Sequence, residues 1–207
     1  MTPPGFFDRI ANHYDLLTRI FMFGTYEAVR RRILATQDGA SGKVLDLCCG
    51  TGYVSNHVRA QRVVGLDLSM NMLRVNKEKQ VDLHHVSLVN GNAYFLPFRD
   101  GQFDAVFCTL ACHEFSELPL VLKEVHRVLG DGGRLTIFDI FEPANPLLKL
   151  LMYTFFKYIV ERRYMWLYSQ EGWRNLLGRM HFGQVKIEEL YYISALIQAS
   201  KERAVVR

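Results

Sequence analysis

The sequence predicts an α/β fold: a doubly wound, mostly parallel sheet of seven strands with helices on both faces. Short runs rich in Val, Leu, Ile and Phe alternate with longer stretches whose apolar residues recur every three or four positions. Strand–helix–strand repetition of that kind lays helices on both sides of a parallel sheet. The chain has 207 residues, 49% of them hydrophobic, enough to bury a core on each sheet face within one domain, 1–207.

The strand-like runs are 43–48, 62–67, 84–89, 103–108 and 134–140. Between them, 52–60, 69–79 and 117–129 read as helices, and Asp131-Gly132-Gly133 reads as the turn into the fifth strand. Ahead of this core (43–140), residues 6–34 read as helices with Phe7, Ile10, Ala11, Tyr14 and Leu17 along one face, so that 1–35 forms a helical cap. A helical insertion spans 144–168. The remainder, 169–207, holds a final helix and a hairpin, 183–192 and 193–200, one strand of it antiparallel.

Composition narrows the partners. The formal charge of +4 is mild, and apart from Arg30-Arg31-Arg32 and Arg162-Arg163 the basic residues are dispersed, so nucleic acid is not the expected partner. Cys48, Cys49, Cys108 and Cys112 fall in or just after predicted strands, which suits a reducing, cytoplasmic compartment. Asp8, Arg9 and His13 interrupt the first residues before the apolar region of a signal peptide could form.

The most informative segment is Val44-Leu45-Asp46-Leu47-Cys48-Cys49-Gly50-Thr51-Gly52, a strand leading through a glycine turn into a helix. Glycines let the backbone approach a nucleotide-like ligand closely. Ser55 stands where a dinucleotide fingerprint requires its third glycine, which argues against a nicotinamide cofactor. Asp46, just ahead of the glycines, would repel a pyrophosphate and welcome an ammonium group. S-adenosyl-L-methionine carries that ammonium group and no phosphate. Asp67 ends the next strand, where a carboxylate can accept hydrogen bonds from both ribose hydroxyls. Ser69 is the better cap for the following helix, which leaves Asp67 for the ligand. Met72 reads either as packing against adenine or as ordinary core.

Taken together, Asp46-x-x-x-Gly50-x-Gly52, Leu66-Asp67-Leu68-Ser69-x-x-Met72-Leu73, Gly91-Asn92-Ala93-x-x-Leu96-Pro97-Phe98, Phe103-Asp104 and Arg127-Val128-Leu129-x-x-Gly132-Gly133 resemble the small-molecule class I S-adenosylmethionine-dependent methyltransferases. The resemblance covers about residues 43–140 and implies a Rossmann-like fold. It also implies a cofactor site that includes Cys48, Thr51, Leu68, Ala93 and Thr109, with Asn92 at the adenine amino group where relatives usually carry Asp. More narrowly, Phe7-Asp8-x-Ile10-Ala11-x-x-Tyr14-Asp15 resembles the ubiquinone/menaquinone C-methyltransferase (methyltransferase type 11) family, which implies a cofactor-capping helix with Tyr14 lining the site. After the fourth strand that family carries Gly-x-Arg-Asn. This chain instead reads Thr109-Leu110-Ala111-Cys112-His113-Glu114-Phe115, a departure in the loop that faces the reacting methyl.

Methyl transfer is an in-line displacement from a sulfonium, yielding S-adenosyl-L-homocysteine; it requires alignment and no metal. A phenol, hydroxyl or activated ring carbon must also lose a proton, and His113 is the candidate base and substrate contact; the alternative is that His113 and Glu114 open the following helix as solvated or capping residues. Residues 147–160 are apolar on more than one face, yet Lys149 and Lys157 make them too short and too interrupted to span a bilayer. They read either as a roof over the acceptor, with Phe155 and Phe156 touching it, or as a packing or dimerisation helix. The neighbouring Arg162 and Arg163 suit anionic headgroups and peripheral contact with a membrane surface. The leading function is methylation of a small lipophilic or aromatic acceptor at carbon, oxygen or nitrogen. The alternatives are a phospholipid-headgroup N-methyltransferase and a catalytically inactive S-adenosylmethionine-binding protein.

Overall fold

The computed structural model describes residues 4–22, 24–37, 42–142, 145–155, 167–191 and 193–202. The chain begins with α1 (Pro4–Ile10), a 3-10 turn (Ala11–His13), α2 (Tyr14–Phe21) and α3 (Tyr26–Ala35). The core follows as β1 (Lys43–Leu47), β2 (Arg62–Asp67), α4 (Met70–Glu78), β3 (Val86–Asn90), β4 (Phe103–Thr109), a second 3-10 turn (Cys112–Glu114), α5 (Leu118–Val128) and β5 (Leu129–Ile140). Then come α6 (Pro146–Phe155), α7 (Gln170–Arg179), β6 (Phe182–Leu190) and β7 (Ser194–Lys201).

The strands form one seven-stranded sheet in the order β3-β2-β1-β4-β5-β7-β6. The first five pair in parallel, and β7 runs antiparallel between β5 and β6. The doubly wound expectation holds. Strand order reverses between β1 and β4, where an open α/β sheet leaves a crevice beyond its carboxyl ends. Both faces are buried because side chains alternate along each strand. In β4, Ala105 and Phe107 join a core cluster with Val29 and Ile33 of α3, while Val106 and Cys108 join one with Leu118, Val121, Leu122 and Val125 of α5 and Trp173 and Leu176 of α7.

The Ser69 cap acts as read. Ser69 caps α4 by accepting from Met72 N at 3.1 Å, and Ser169 caps α7 by accepting from Gly172 N at 3.1 Å. The Arg127 guanidinium donates to the carbonyls of Leu96 and Phe98 and to Glu124 and Asp100, which ties the Leu96-Pro97-Phe98 piece to the end of α5.

Two elements differ from expectation. Residues 52–60 form successive turns rather than a regular helix, because Ser55 N donates to Asp46 Oδ2 at 2.8 Å while Lys79 Nζ takes the Thr51 carbonyl at 3.3 Å. Asp131-Gly132-Gly133 does not precede β5 but lies within it. Leu129 already pairs with Phe103, and the register shifts before Arg134, so the glycines form an irregularity in the strand, with Gly132 at φ +75°.

Candidate active site

At the carboxyl ends of β1, β2 and β4 lies a cleft, about 670 Å³ with its opening to solvent included. Cys48 and Gly50 line it from the turn after β1; Asp67, Leu68 and Ser69 line it from the end of β2, with Met72 of α4. Thr109, Leu110, Ala111, Glu114 and Phe115 form the side after β4, and Phe7 and Tyr14 close the cap side. A smaller cleft of about 350 Å³ shares Tyr14, Cys48, Gly50, Thr109 and Leu110 and continues to Thr51 and Tyr53.

The glycine turn is held by side chains from elsewhere. Asp67 Oδ2 accepts from Gly50 N at 2.8 Å and Oδ1 from Ser69 N at 2.9 Å, so one carboxylate fixes the turns after both β1 and β2. Burial raises the Asp67 pKa, and those backbone donors partly offset the rise. Asn76 Nδ2 donates to the Gly50 carbonyl at 3.3 Å. The cap is tied on twice: Thr51 Oγ1 donates to Asp15, and Asn71 donates to Asp8, which also accepts from Ser69 Oγ. Cys48 and Leu110 adopt left-handed backbone, at φ 56° and 52°, one on each side of the cleft.

Of the residues expected at the cofactor, Cys48, Gly50, Asp67, Leu68, Met72 and Thr109 share the main cleft, and Thr51 lines the adjoining one. Four line neither. Asp46 is 1% exposed behind the glycine turn, where burial raises its pKa to about 7 and its Oδ1 has no hydrogen-bond partner. Gly52, at φ +93°, faces the side-chain amides of Asn56 and Asn76, into which a Cβ would collide. Asn92 Oδ1 accepts from Tyr94 N at 3.0 Å, and Ala93 is buried in the core.

Of the residues expected at the acceptor, Tyr14 lines both clefts, and burial raises its pKa. His113, expected beside the methyl, is not on the wall. Its ring is buried with Nδ1 2.5 Å from Asp139 Oδ1, because β5 brings that carboxylate behind the 3-10 turn. The side chain of Phe155 and the whole of Phe156 lie outside the described residues. Sequence reasoning missed Ser69, Leu110, Ala111, Glu114 and Phe115 as wall residues, and read Phe7 only as part of the cap's apolar face. Burial raises the thiol pKa of Cys48; the Cys112 thiol, with burial, raises that of Cys108, and at Cys112 the contact with Cys108 lowers the value while burial carries it above the usual one, which suits packing groups rather than nucleophiles.

The ubiE/COQ5 methyltransferase family model matches residues 4–172. A demethylmenaquinone methyltransferase of Staphylococcus saprophyticus is 31% identical over 204 residues, a match covering 87% of this chain and 88% of the relative. Two solved S-adenosylmethionine-dependent methyltransferases share the fold. One, from Thermotoga maritima, has a TM-score of 0.76 at 18% identity over 95% of this chain and 98% of its own. The other, from Mesorhizobium loti, has a TM-score of 0.69 at 20% identity over 86% and 99%. Because the family match and the relative both extend over most of the chain, it belongs to the ubiE/COQ5 methyltransferase family and is an S-adenosylmethionine-dependent methyltransferase.

Proposed function

We propose that this enzyme methylates a ring carbon of a reduced, quinone-type aromatic acceptor with an apolar side chain. The observation that carries the reading is the apolar lining that Leu110 and Phe115 after β4 and Phe7 and Tyr14 of the cap give a cleft whose β2 end carries Asp67, which suits a flat lipophilic ring. The Staphylococcus relative is named for demethylmenaquinone, an acceptor of that chemistry. A quinone ring is electron-poor, so the hydroquinone is the nucleophilic form.

Two features fit the cofactor to the β1–β2 side. A Cβ at Gly50 would meet nothing within 4 Å, so the turn leaves room for a ligand against its backbone. A carboxylate offers about four acceptor positions, and Asp67 spends one on Gly50 N and one on Ser69 N. In this reading Asp67 receives the ribose hydroxyls, while Leu68 and Met72 pack against adenine, with Asn92 and Ala93 towards its far edge. Cys48, Thr51, Gly52 and Thr109 shape the methionine end, and Asp46 attracts its ammonium charge from behind the turn. When bound, S-adenosylmethionine supplies an electrophilic methyl on a sulfonium. The chain's own work is to hold the acceptor in line and exclude water. Among the described residues no helix is long and apolar enough to cross a membrane. Leu16, Leu17 and Ile20 of α2 and Leu147, Leu150 and Leu151 of α6 are exposed, a surface suited to drawing a lipophilic acceptor from a membrane face.

The test is transfer of a labelled methyl group to a panel of pre-reduced 2-prenyl-1,4-naphthoquinone, a simple phenol and phosphatidylethanolamine vesicles. Label in the naphthohydroquinone ring supports the reading. Label in the phospholipid headgroup would replace it, and cofactor binding without transfer to any acceptor would leave a binding protein.

A further inference from the structure

We propose that Glu114 is the catalytic residue that removes the acceptor's proton, and that His113 and Asp139 are positioning residues that hold it at the cleft. The proposal rests on the acceptor reading above. Four titratable side chains among the described residues line the main cleft: Tyr14, Cys48, Asp67 and Glu114. Burial keeps Tyr14 and Cys48 protonated at neutral pH, so neither serves as a base. Asp67 braces the two turns on the cofactor side. Glu114 stands on the opposite wall, next to Leu110 and Phe115, where the apolar ring is proposed to lie.

Behind it the sequence His113-Glu114 meets β5. Asp139 is 2% exposed, and as an acceptor it already receives His113 N at 3.1 Å and Ile140 N at 2.6 Å. Asp139 therefore takes the Nδ1 hydrogen of His113, and Nε2 then lies 3.7 Å from Glu114 Oε1, too far for a hydrogen bond, so that the ring holds Glu114 by charge when it carries a hydrogen on both nitrogens. The Glu114 side chain is 13% exposed, enough to reach the cleft while its position is set from behind. A buried carboxylate–imidazole pair is an expensive way to fill a core, and its far end here is the carboxylate on the cleft.

The step balances. The acceptor ring carbon forms its bond to the methyl carbon, and the electron pair of the breaking carbon–sulfur bond stays on sulfur. The proton of that ring carbon passes to Glu114. A sulfonium and a carboxylate thus become a neutral thioether and a carboxylic acid. Among the described residues, the groups facing Glu114 include His113 and Asp139 from behind, and Tyr14, Cys48 and Asp67 across the cleft.

The experiment uses the full chain, pre-reduced 2-prenyl-1,4-naphthoquinone, and calorimetric titration with S-adenosylhomocysteine as the measure of an intact fold. Glu114→Gln should lower kcat by about 100- to 10,000-fold, leave the acceptor KM within about threefold and abolish the acid limb of the kcat–pH profile. Glu114→Ala should regain part of its activity in added formate. Asp139→Asn should displace that limb and lower kcat by about tenfold without removing it. A Glu114→Gln kcat within about threefold of wild type, in a protein that still binds S-adenosylhomocysteine, overturns the assignment while the acceptor reading stands. A wild-type enzyme that binds the cofactor and does not methylate the hydroquinone overturns the acceptor reading, and the assignment with it.

Discussion

The two walls of the cleft are held by different means: on the β1–β2 wall one carboxylate, Asp67, braces backbone donors from two turns, whereas on the wall after β4 a buried Asp139–His113 pair supports a side chain, Glu114. The first arrangement fixes two main-chain turns and through them the places of Cys48, Gly50 and Leu68. The second presents side chains, which can change without disturbing the sheet. The sequence reading placed its family-like motif on the first wall, in the glycine turn, and its departure on the second, in Thr109–Phe115.

The largest effect should come from breaking the first wall. Asp67→Ala removes the proposed ribose acceptor, two charge-assisted hydrogen bonds worth about 1.5–3 kcal/mol each, so S-adenosylmethionine affinity should fall at least tenfold. It also strands Gly50 N and Ser69 N, so the melting temperature should fall with it; equal affinity in calorimetry would remove Asp67 from the site.

His113→Ala breaks the second wall from behind and leaves Asp139 buried without its ring partner, a loss of about 3 kcal/mol in urea denaturation. Cofactor affinity should stay within about threefold of wild type; a tenfold fall would show that the walls are not independent.

Asp46→Asn sharpens the first wall by its pH dependence. The fold holds the Asp46 proton up to about pH 7, whereas an unfolded carboxylate releases it near pH 4, so its contribution to stability declines as pH rises through that window. The amide does not titrate. Three pKa units correspond to about 4 kcal/mol, part of which a buried amide gives back. The ligand-free variant should exceed wild type by about 2 kcal/mol at pH 8, the gap closing towards pH 4; a gap independent of pH would refute the buried-acid account.

The smallest effect is expected at α6. Leu150 is 63% exposed, so Leu150→Gln should change stability by less than about 0.5 kcal/mol while raising the acceptor KM. A fall in stability would make α6 a packing helix.

Much of this was legible in one dimension. Each of the five parallel strands was read from its apolar run, because burial on both faces demands one, and Ser69 announced itself by local chemistry. The 52–60 stretch has helical spacing but not a regular helix, because Asp46 and Lys79 take over backbone groups that a helix would pair internally. His113 was the visible candidate because histidine is the usual base, yet nothing near it in sequence reveals Asp139, 26 residues on, which accepts its ring hydrogen. By itself the sequence determined the sheet, the glycine turn and the family, since strand burial, turns and caps depend on residues close along the chain. Only the tertiary structure decided which side chains reach the cleft, Glu114 rather than His113 and Gly50 rather than Asp46, because that depends on which distant group claims each side chain first.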